Sequence, residues 1–237
     1  MVWKSSAPSN IALIKYMGKK DFSLNIPSNA SLSYTLENLR TFVELEVIHA
    51  AQDQWQPLKK EGCLTPSLSE KGQKRFLNFF AKLKKYYGVQ ESFLIRSANS
   101  FPSDSGMASS ASSFAALTMT ASIAFKELGY KNESGLQPYQ MAREGSGSSC
   151  RSFFSPWAVW KETEVFAPKI AISSFDHKIL LLDSKQKEVS SGEAHKRIET
   201  SLLNRGRKER AEERLENLLS ALNKNEMRAA FEICWAE

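Results

Sequence analysis

The sequence predicts a fold that mixes β-strands with α-helices, and two stretches carry the prediction. Residues 41–48, TFVELEVI, alternate Val43, Leu45 and Val47 with Glu44 and Glu46, the period-2 pattern of a strand with one face in water. Residues 74–88, KRFLNFFAKLKKYYG, instead set Phe76, Phe80, Leu83 and Tyr87 at helical spacing, with lysines on the solvated side and Gly88 as the stop. At 237 residues the chain is long enough for one large domain, or for one domain and part of another, with a real core.

Taken in order, residues 6–21, SAPSNIALIKYMGKKD, read as a short apolar strand with Asn10, Lys15, Tyr16 and Lys19 gathered around it. The segments SFLIRS (92–97), WAVWK (157–161) and KILLLDS (178–184) are likewise strand-like. Met107 to Leu128 forms a long helix of small and apolar residues ended by Gly129. REGSGSSCRS, residues 143–152, reads as a flexible glycine-serine loop ending in Arg151. In residues 207–225, Ala211, Leu215, Leu218, Leu219 and Leu222 recur at helical spacing beneath a charged outer side. The last segment, NEMRAAFEICWAE, places Met227, Ala230, Phe231 and Cys234 on one helical face and leaves Trp235 exposed, and the second domain is expected to continue beyond it in the natural protein. A change of character after Lys161 and around Pro168 marks a domain boundary.

Hydrophobic residues make up 42% of the chain and no run nears the roughly 18 apolar residues of a membrane span, so a membrane protein is not expected. The amino-terminal residues lack the apolar stretch of a signal peptide, so a cytoplasmic location is expected. Cys63, Cys150 and Cys234 match no disulfide framework or zinc spacing and read as reduced thiols. A net charge of +6 favours an anionic partner: nucleic acid, acidic lipid or a phosphorylated metabolite.

The stretch FPSDSGMASSASSFAALT, residues 101–118, narrows that choice. Pro102, Ser103 and Asp104 supply a turn and candidate N-caps, and Gly106 lets the backbone approach a ligand closely. The first turn of the following helix offers backbone N–H groups and the positive end of the dipole, which together make an anion site, with the hydroxyls of Ser109 and Ser110 beside it. The competing reading is a buried Ser/Ala helix whose hydroxyls bond back to their own carbonyls. Neither G-x-x-x-x-G-K-[ST] nor a post-strand G-x-G-x-x-G is present.

Three segments together resemble the diphosphomevalonate decarboxylase family of the GHMP kinase superfamily. The family opens with a segment like AP-NIA-IKY-GK-D, matched by Ala7-Pro8-Ser9-Asn10-Ile11-Ala12 through Lys15-Tyr16-Met17-Gly18-Lys19-Lys20-Asp21. Its phosphate loop, FP---GLASSA, is matched by Phe101-Pro102 and Gly106-Met107-Ala108-Ser109-Ser110-Ala111, and its GSGSACRS segment by Gly145-Ser146-Gly147-Ser148-Ser149-Cys150-Arg151-Ser152. The resemblance covers essentially the whole chain and weakens after about residue 165.

It implies an α+β fold of two domains: a ribosomal protein S5 domain 2-like N-terminal domain over 1–165, and a ferredoxin-like C-terminal domain, truncated, over 166–237. It also implies an ATP-dependent carboxy-lyase. The γ-phosphate passes to the tertiary 3-hydroxyl of mevalonate 5-diphosphate, turning a poor leaving group into a good one. Loss of that phosphate develops positive charge at C3, which departure of the carboxylate quenches to give isopentenyl diphosphate. By motif, Ser103, Ser105, Gly106, Met107, Ala108, Ser109 and Ser110 cradle ATP phosphates. Tyr16, Lys19, Ser146, Ser148 and Ser191 hold the substrate, and Arg151 engages its carboxylate or diphosphate. Asn10, Lys15 and Arg151 are the catalytic candidates. Mg²⁺ accompanies ATP, held mainly through phosphates, and no protein metal cluster is assigned. The partner is then a phosphorylated small molecule rather than nucleic acid or membrane, with a homodimer as the family's common assembly.

Departures from the family pattern are specific. Met17 replaces a usual Trp, Asp104 sets a negative charge by the phosphate loop where it either caps the helix or reaches Mg²⁺, and His195 follows the Ser190-Ser191 pair where a Met is expected. The family's essential aspartate belongs to a DAGPN-like segment, and neither Asp176 nor Asp183 stands in one. Rival readings are a mevalonate 3-kinase or phosphomevalonate decarboxylase, a non-catalytic nucleotide-binding relative, and a nucleic-acid binder.

Overall fold

A computed structural model describes residues 1–65, 68–103, 106–172, 174–180 and 191–237. In chain order its elements are β1 (Val2–Ile14), β2 (Lys19–Asp21), β3 (Ile26–Pro27), β4 (Ser31–Ile48), β5 (Gln54–Pro57), α1 (Glu70–Tyr87), β6 (Ser92–Asn99), α2 (Ser109–Glu127), α3 (Pro138–Gly145), β7 (Trp157–Lys161), β8 (Glu164–Phe166), α4 (Ser191–Arg197), α5 (Arg207–Asn223) and α6 (Met227–Ala236). Short 3₁₀ segments cover Gly147–Phe153, Ile198–Thr200 and Leu202–Asn204. The expected mixture of strands and helices is present. Contacts gather the chain into two compact units, Met1–Ser9 with Leu36–Phe153, and Asn10–Thr35 with Phe154–Glu237. No described helix is long and apolar enough to cross a membrane.

In the first unit the second half of β4 pairs antiparallel with β6, from Thr41↔Asn99 to Ile48↔Ser92, and β5 pairs parallel with β6. The predicted alternation of residues 41–48 follows from two-sided demand: Val43 and Leu45 are fully buried, while Glu44 and Glu46 meet Lys4 and Arg96 in ion pairs of 2.8 Å. The buried face receives α1, whose Phe76, Phe79, Phe80, Leu83 and Tyr87 join Phe93, Ile95, Phe114 and Phe125 in one core. Each such side chain contributes about 1.5–3 kcal/mol on burial. Ser69 caps the start of α1 by accepting the Gly72 amide, and Gly88 ends it at φ 71°, the left-handed stop the sequence predicts.

α2 runs through this core and begins at Ser109 rather than Met107. The reason lies in the backbone: Gly106 and Ala108 take φ values of 87° and 51°, which no helix continues. Ala108 is therefore the N-cap residue, and Pro102 and Ser103 stand outside the cap; Asp104 lies outside the described residues. The glycine-serine stretch 143–152 is not a flexible loop. It is the end of α3 followed by the 3₁₀ segment Gly147–Phe153, with Gly145, Ser146, Gly147, Ser149, Cys150, Arg151 and Ser152 buried. Here glycine serves close packing: a Cβ on Gly145 would lie 2.2 Å from Cδ1 of Phe114. The Ser149 hydroxyl donates at 2.6 Å to the carbonyls of Ala142 and Ser146.

In the second unit the first residues of β4 pair antiparallel with β7, from Ser31↔Trp160 to Tyr34↔Trp157, and β7 pairs antiparallel with β8. Lys19–Asp21 and Ile26–Pro27 form a separate antiparallel pair. Leu32, Trp157 and Val159 pack with Ala211, Leu215, Leu218, Ala221 and Leu222 of α5, so the predicted face of that helix is the buried one, with Leu219 at its margin. Three expectations need correction. β1 is not a short strand but spans 13 residues, because it pairs with the 18-residue β4 rather than standing as an apolar run alone. Lys178–Leu180 form no strand, and the rest of KILLLDS lies outside the described residues. On α6 only Ala230 is buried, flanked by Ala229, Ile233 and Cys234, whereas Met227 and Phe231 face solvent. The small Ala230 lets α6 approach α5, which turns the bulkier pair outward; Trp235 is exposed as expected and stacks on Phe231 at 6.3 Å.

Candidate active site

The site residues predicted from sequence fall into two groups, one in each unit. In the first unit, α2 opens without a side-chain cap among the described residues and without an acidic residue in its first turn. A helix start of this kind carries the positive end of the dipole, which favours an anion. A left-handed alanine costs about 1–2 kcal/mol, and the strained Ala108 is held by what surrounds it: the Ser9 hydroxyl donates to the Met107 carbonyl at 2.5 Å, and the hydroxyls of Ser112 and Ser113 both donate to the Ser109 carbonyl, at 3.1 and 2.7 Å. Deeper in the helix the hydroxyls of Thr118 and Thr120 bond back to Phe114 and Ala116, each at 2.8 Å. The back-bonding reading of the Ser/Ala helix thus holds for its body.

The 3₁₀ segment Gly147–Phe153 and α3 pack on α2. The two motifs meet where Ser146 donates to Ser110 at 3.3 Å between hydroxyl oxygens. Ser103 accepts from the Asn99 side chain at 2.9 Å, and Ser109, Ser110 and Ser148 are half-buried. Arg151 is buried, at 3% exposure, and so is Arg143, at 4%, which sequence reasoning passed over. Between them in the chain lies Cys150, whose thiol burial pushes up to about 12 against the pull of Arg151 and Arg143. That thiol stays neutral, and a planar guanidinium such as that of Arg151 is the kind of donor that matches a carboxylate or diphosphate. Ser105 lies outside the described residues.

In the second unit Lys15 and Tyr16 lie in the turn after β1, and Lys19 opens β2. Asn10 is buried within β1, and Lys15 is exposed, its backbone bound by Glu237, Arg207 and Asn29. The Met17 amide donates to Asn29 Oδ1 at 3.1 Å, and Lys19 donates to Asn25 Oδ1 at 2.5 Å. Tyr16 is buried, stacked on His195 and edge-on to Trp160, each with ring centroids 4.6 Å apart. His195 was noted in the sequence only as a departure; its partners lie too far along the chain for any local pattern to reveal them. Ser191 begins α4, and Ser190 lies outside the described residues.

A cavity of about 300 Å³ in the same unit is lined by Lys20, Lys161 and Lys208 together with Glu162, Glu212 and Glu216. Its lysines are matched by carboxylates, Lys20 pairing with Glu162 at 2.9 Å, so it makes a poor anion site. Among the described residues no group of three His, Cys, Asp or Glu could hold a metal ion.

Comparison with known proteins gives the family and the fold. The family described as Diphosphomevalonate decarboxylase-like N-terminal domain matches residues 7–173. Diphosphomevalonate decarboxylase mvd1 of Aspergillus fumigatus is 34% identical over 215 residues, which are 80% of this chain and 51% of that protein. The chain thus spans about half the length of the curated relatives it matches. A crystal structure of a mevalonate diphosphate decarboxylase from Legionella pneumophila is 47% identical with a TM-score of 0.90, covering 100% of this chain and 76% of its own. A solved complex with MVAPP, AMPPCP and magnesium is 27% identical with a TM-score of 0.77, covering 100% of this chain and 72% of its own.

Proposed function

Since the chain belongs to the diphosphomevalonate decarboxylase family and shares the mixed α and β, GHMP kinase-type fold of its solved members, we propose that it serves the ATP-dependent decarboxylation of mevalonate 5-diphosphate to isopentenyl diphosphate, in the mevalonate route to isoprenoids. The observation that carries the reading is the meeting of the uncapped α2 start with the 146–151 segment through Ser110 and Ser146, beside the buried Arg151. Two anion-binding elements in hydrogen-bond contact suit a reaction in which one phosphorylated molecule hands a phosphoryl group to another.

The donor chemistry at α2 fits ATP and Mg²⁺: backbone amides at a helix start and serine hydroxyls, with no carboxylate in the first turn to repel phosphate. When bound, ATP supplies the phosphoryl group and Mg²⁺ neutralises part of its charge. In this proposal Ser103, Ser105, Gly106, Met107, Ala108, Ser109 and Ser110 cradle the nucleotide phosphates. Tyr16, Lys19, Ser146, Ser148 and Ser191 hold the substrate, and Arg151 clamps its carboxylate or diphosphate with a planar fork. Asn10 and Lys15 orient substrate and steady charge near the transferring group. No aspartate within residues 1–237 stands in a DAGPN-like segment, so none is assigned to the 3-hydroxyl proton. Domains of 1–165 and 166–237 are part of this reading. Cytoplasmic location, a homodimer, and a phosphorylated small molecule as partner in place of nucleic acid belong to the same reading.

The test supplies the full-length protein with ATP, Mg²⁺ and mevalonate 5-diphosphate and follows ADP and CO₂ together. Release of both supports the proposal. ADP without CO₂ replaces it with a small-molecule kinase, and neither product, with ligand binding intact, replaces it with a non-catalytic nucleotide-binding relative.

A further inference from the structure

Within the second unit, the turn carrying Tyr16 and Lys19 is gripped by a histidine distant in sequence. The imidazole of His195 lies over the Tyr16 ring, with centroids 4.6 Å apart and planes within 17° of parallel. Its Nδ1 accepts the Gly18 amide at 3.1 Å, a contact between residues 177 apart in the chain. An accepting Nδ1 carries no proton, so the ring is the neutral Nε2–H tautomer. His195 is 5% exposed, and burial, followed by the charges of Lys19 and Lys15, holds it in that neutral form. Gly18 adopts φ 79°, and a Cβ there would lie 3.0 Å from Ser28 Oγ and 3.4 Å from Ile198 Cγ2. The residues after α4 therefore close over the same turn. One side chain fixes the ring of Tyr16 and the backbone amide two residues further on, immediately before Lys19.

We propose that His195 is a positioning residue for substrate binding: by stacking on Tyr16 and accepting the Gly18 amide, it sets the turn in the shape that presents Tyr16 and Lys19 to a diphosphate group. The inference rests on the reading above that these two residues hold the substrate diphosphate. A histidine that only fills space would do neither selectively.

Calorimetry with mevalonate 5-diphosphate and, separately, AMPPCP distinguishes the cases, using the parent protein and three variants. His195→Ala removes both contacts, His195→Phe keeps a ring without an acceptor, and His195→Asn keeps an acceptor without a ring. The expected result is a loss of mevalonate 5-diphosphate affinity of about tenfold in His195→Ala, and of about threefold in each of the other two, while AMPPCP affinity stays within about twofold. Nitrogen-15 spectra of the parent at neutral pH should show an imidazole protonated on Nε2 alone. Unchanged mevalonate 5-diphosphate affinity in His195→Ala, equal losses for both ligands, or an Nδ1–H signal would each overturn the assignment. A parent protein that binds AMPPCP but no mevalonate 5-diphosphate sinks the proposed function and this inference with it; parent binding with an indifferent variant sinks the inference alone.

Discussion

Gly145 is where the end of α3 is locked against α2, and alanine there should break the lock. An added Cβ would sit 2.2 Å from Cδ1 of Phe114 and 2.9 Å from both Cε1 and Cγ. Carbon atoms rest at about 3.5–4.0 Å, so the ring or the end of α3 must give way by more than about 1 Å. The ring has little room to do so. Phe76 and Phe79 meet it edge-on at 5.6 and 5.1 Å, and the Arg75 guanidinium lies 4.8 Å from its centroid while donating to the Gly145 carbonyl at 2.6 Å. Overpacking of this kind costs about 1–3 kcal/mol, and loosening the aromatic pairs adds about 0.5–1.5 kcal/mol. The better helix propensity of alanine returns at most about 1 kcal/mol. Gly145→Ala should therefore lose about 2 kcal/mol and, at about 2–4 °C per kcal/mol for a chain of this size, melt about 4–8 °C lower. Urea unfolding followed by circular dichroism measures it, with the midpoint falling and the slope unchanged. Shrinking the ring in Gly145→Ala/Phe114→Leu should recover part of the loss, so the two changes should couple by about 1 kcal/mol or more. A single variant within about 0.5 kcal/mol of the parent, or strict additivity, would refute the steric account.

Two further outcomes follow from groups already described. Thr41 donates to Asn99 Oδ1 at 2.8 Å and shares a 2.7 Å hydrogen bond with Ser112 of α2; Thr41→Val takes the Thr41 donor from Asn99 Oδ1 and leaves Ser112 with its bond to the Ser109 carbonyl, and should cost about 1–3 kcal/mol in urea unfolding, whereas Thr41→Ser should cost less. His195, lowered to about 4 first by burial and then by Lys19 and Lys15, binds its proton more readily unfolded than folded. Stability from this group should be complete above the ordinary imidazole range and decline as pH falls from about 6.5 toward 4, by on the order of 2 kcal/mol after allowance for solvent screening; His195→Phe should flatten that part of a melting-temperature profile.

Much of the fold was legible because its causes are local. The alternation over residues 41–48 records one face against Phe93 and Ile95 and another against Lys4 and Arg96, and Gly88 ends α1 by a conformation that glycine adopts without strain. That a helix begins just after Gly106 was legible for the same reason, since a glycine turn and the run of small residues behind it are local signals. The glycine-serine segment was misread because composition alone does not separate a chain that must flex from one that must pack closely. What decides is Phe114, which the sequence does not mark as the neighbour of Gly145. The inward face of α6 was misread similarly: Met227 and Phe231 carry more apolar surface than Ala230, yet Ala230 is the residue that permits close approach to α5.

The candidate site divides along the same line. Serines, lysines and the arginine that would touch phosphate are recognisable as residue types in short motifs, because anions demand such donors within a few residues of one another. The residues that hold those donors in place carry no motif. Ser9 pins the Met107 carbonyl from 98 residues away, and His195 grips Gly18 from 177 residues away. A serine beside a strand and a histidine after a Ser-Ser pair are ordinary until the fold brings them to their partners. The chemistry of ligand contact is thus written locally, whereas the geometry that makes it selective is written in pairs, and only folding reads those pairs.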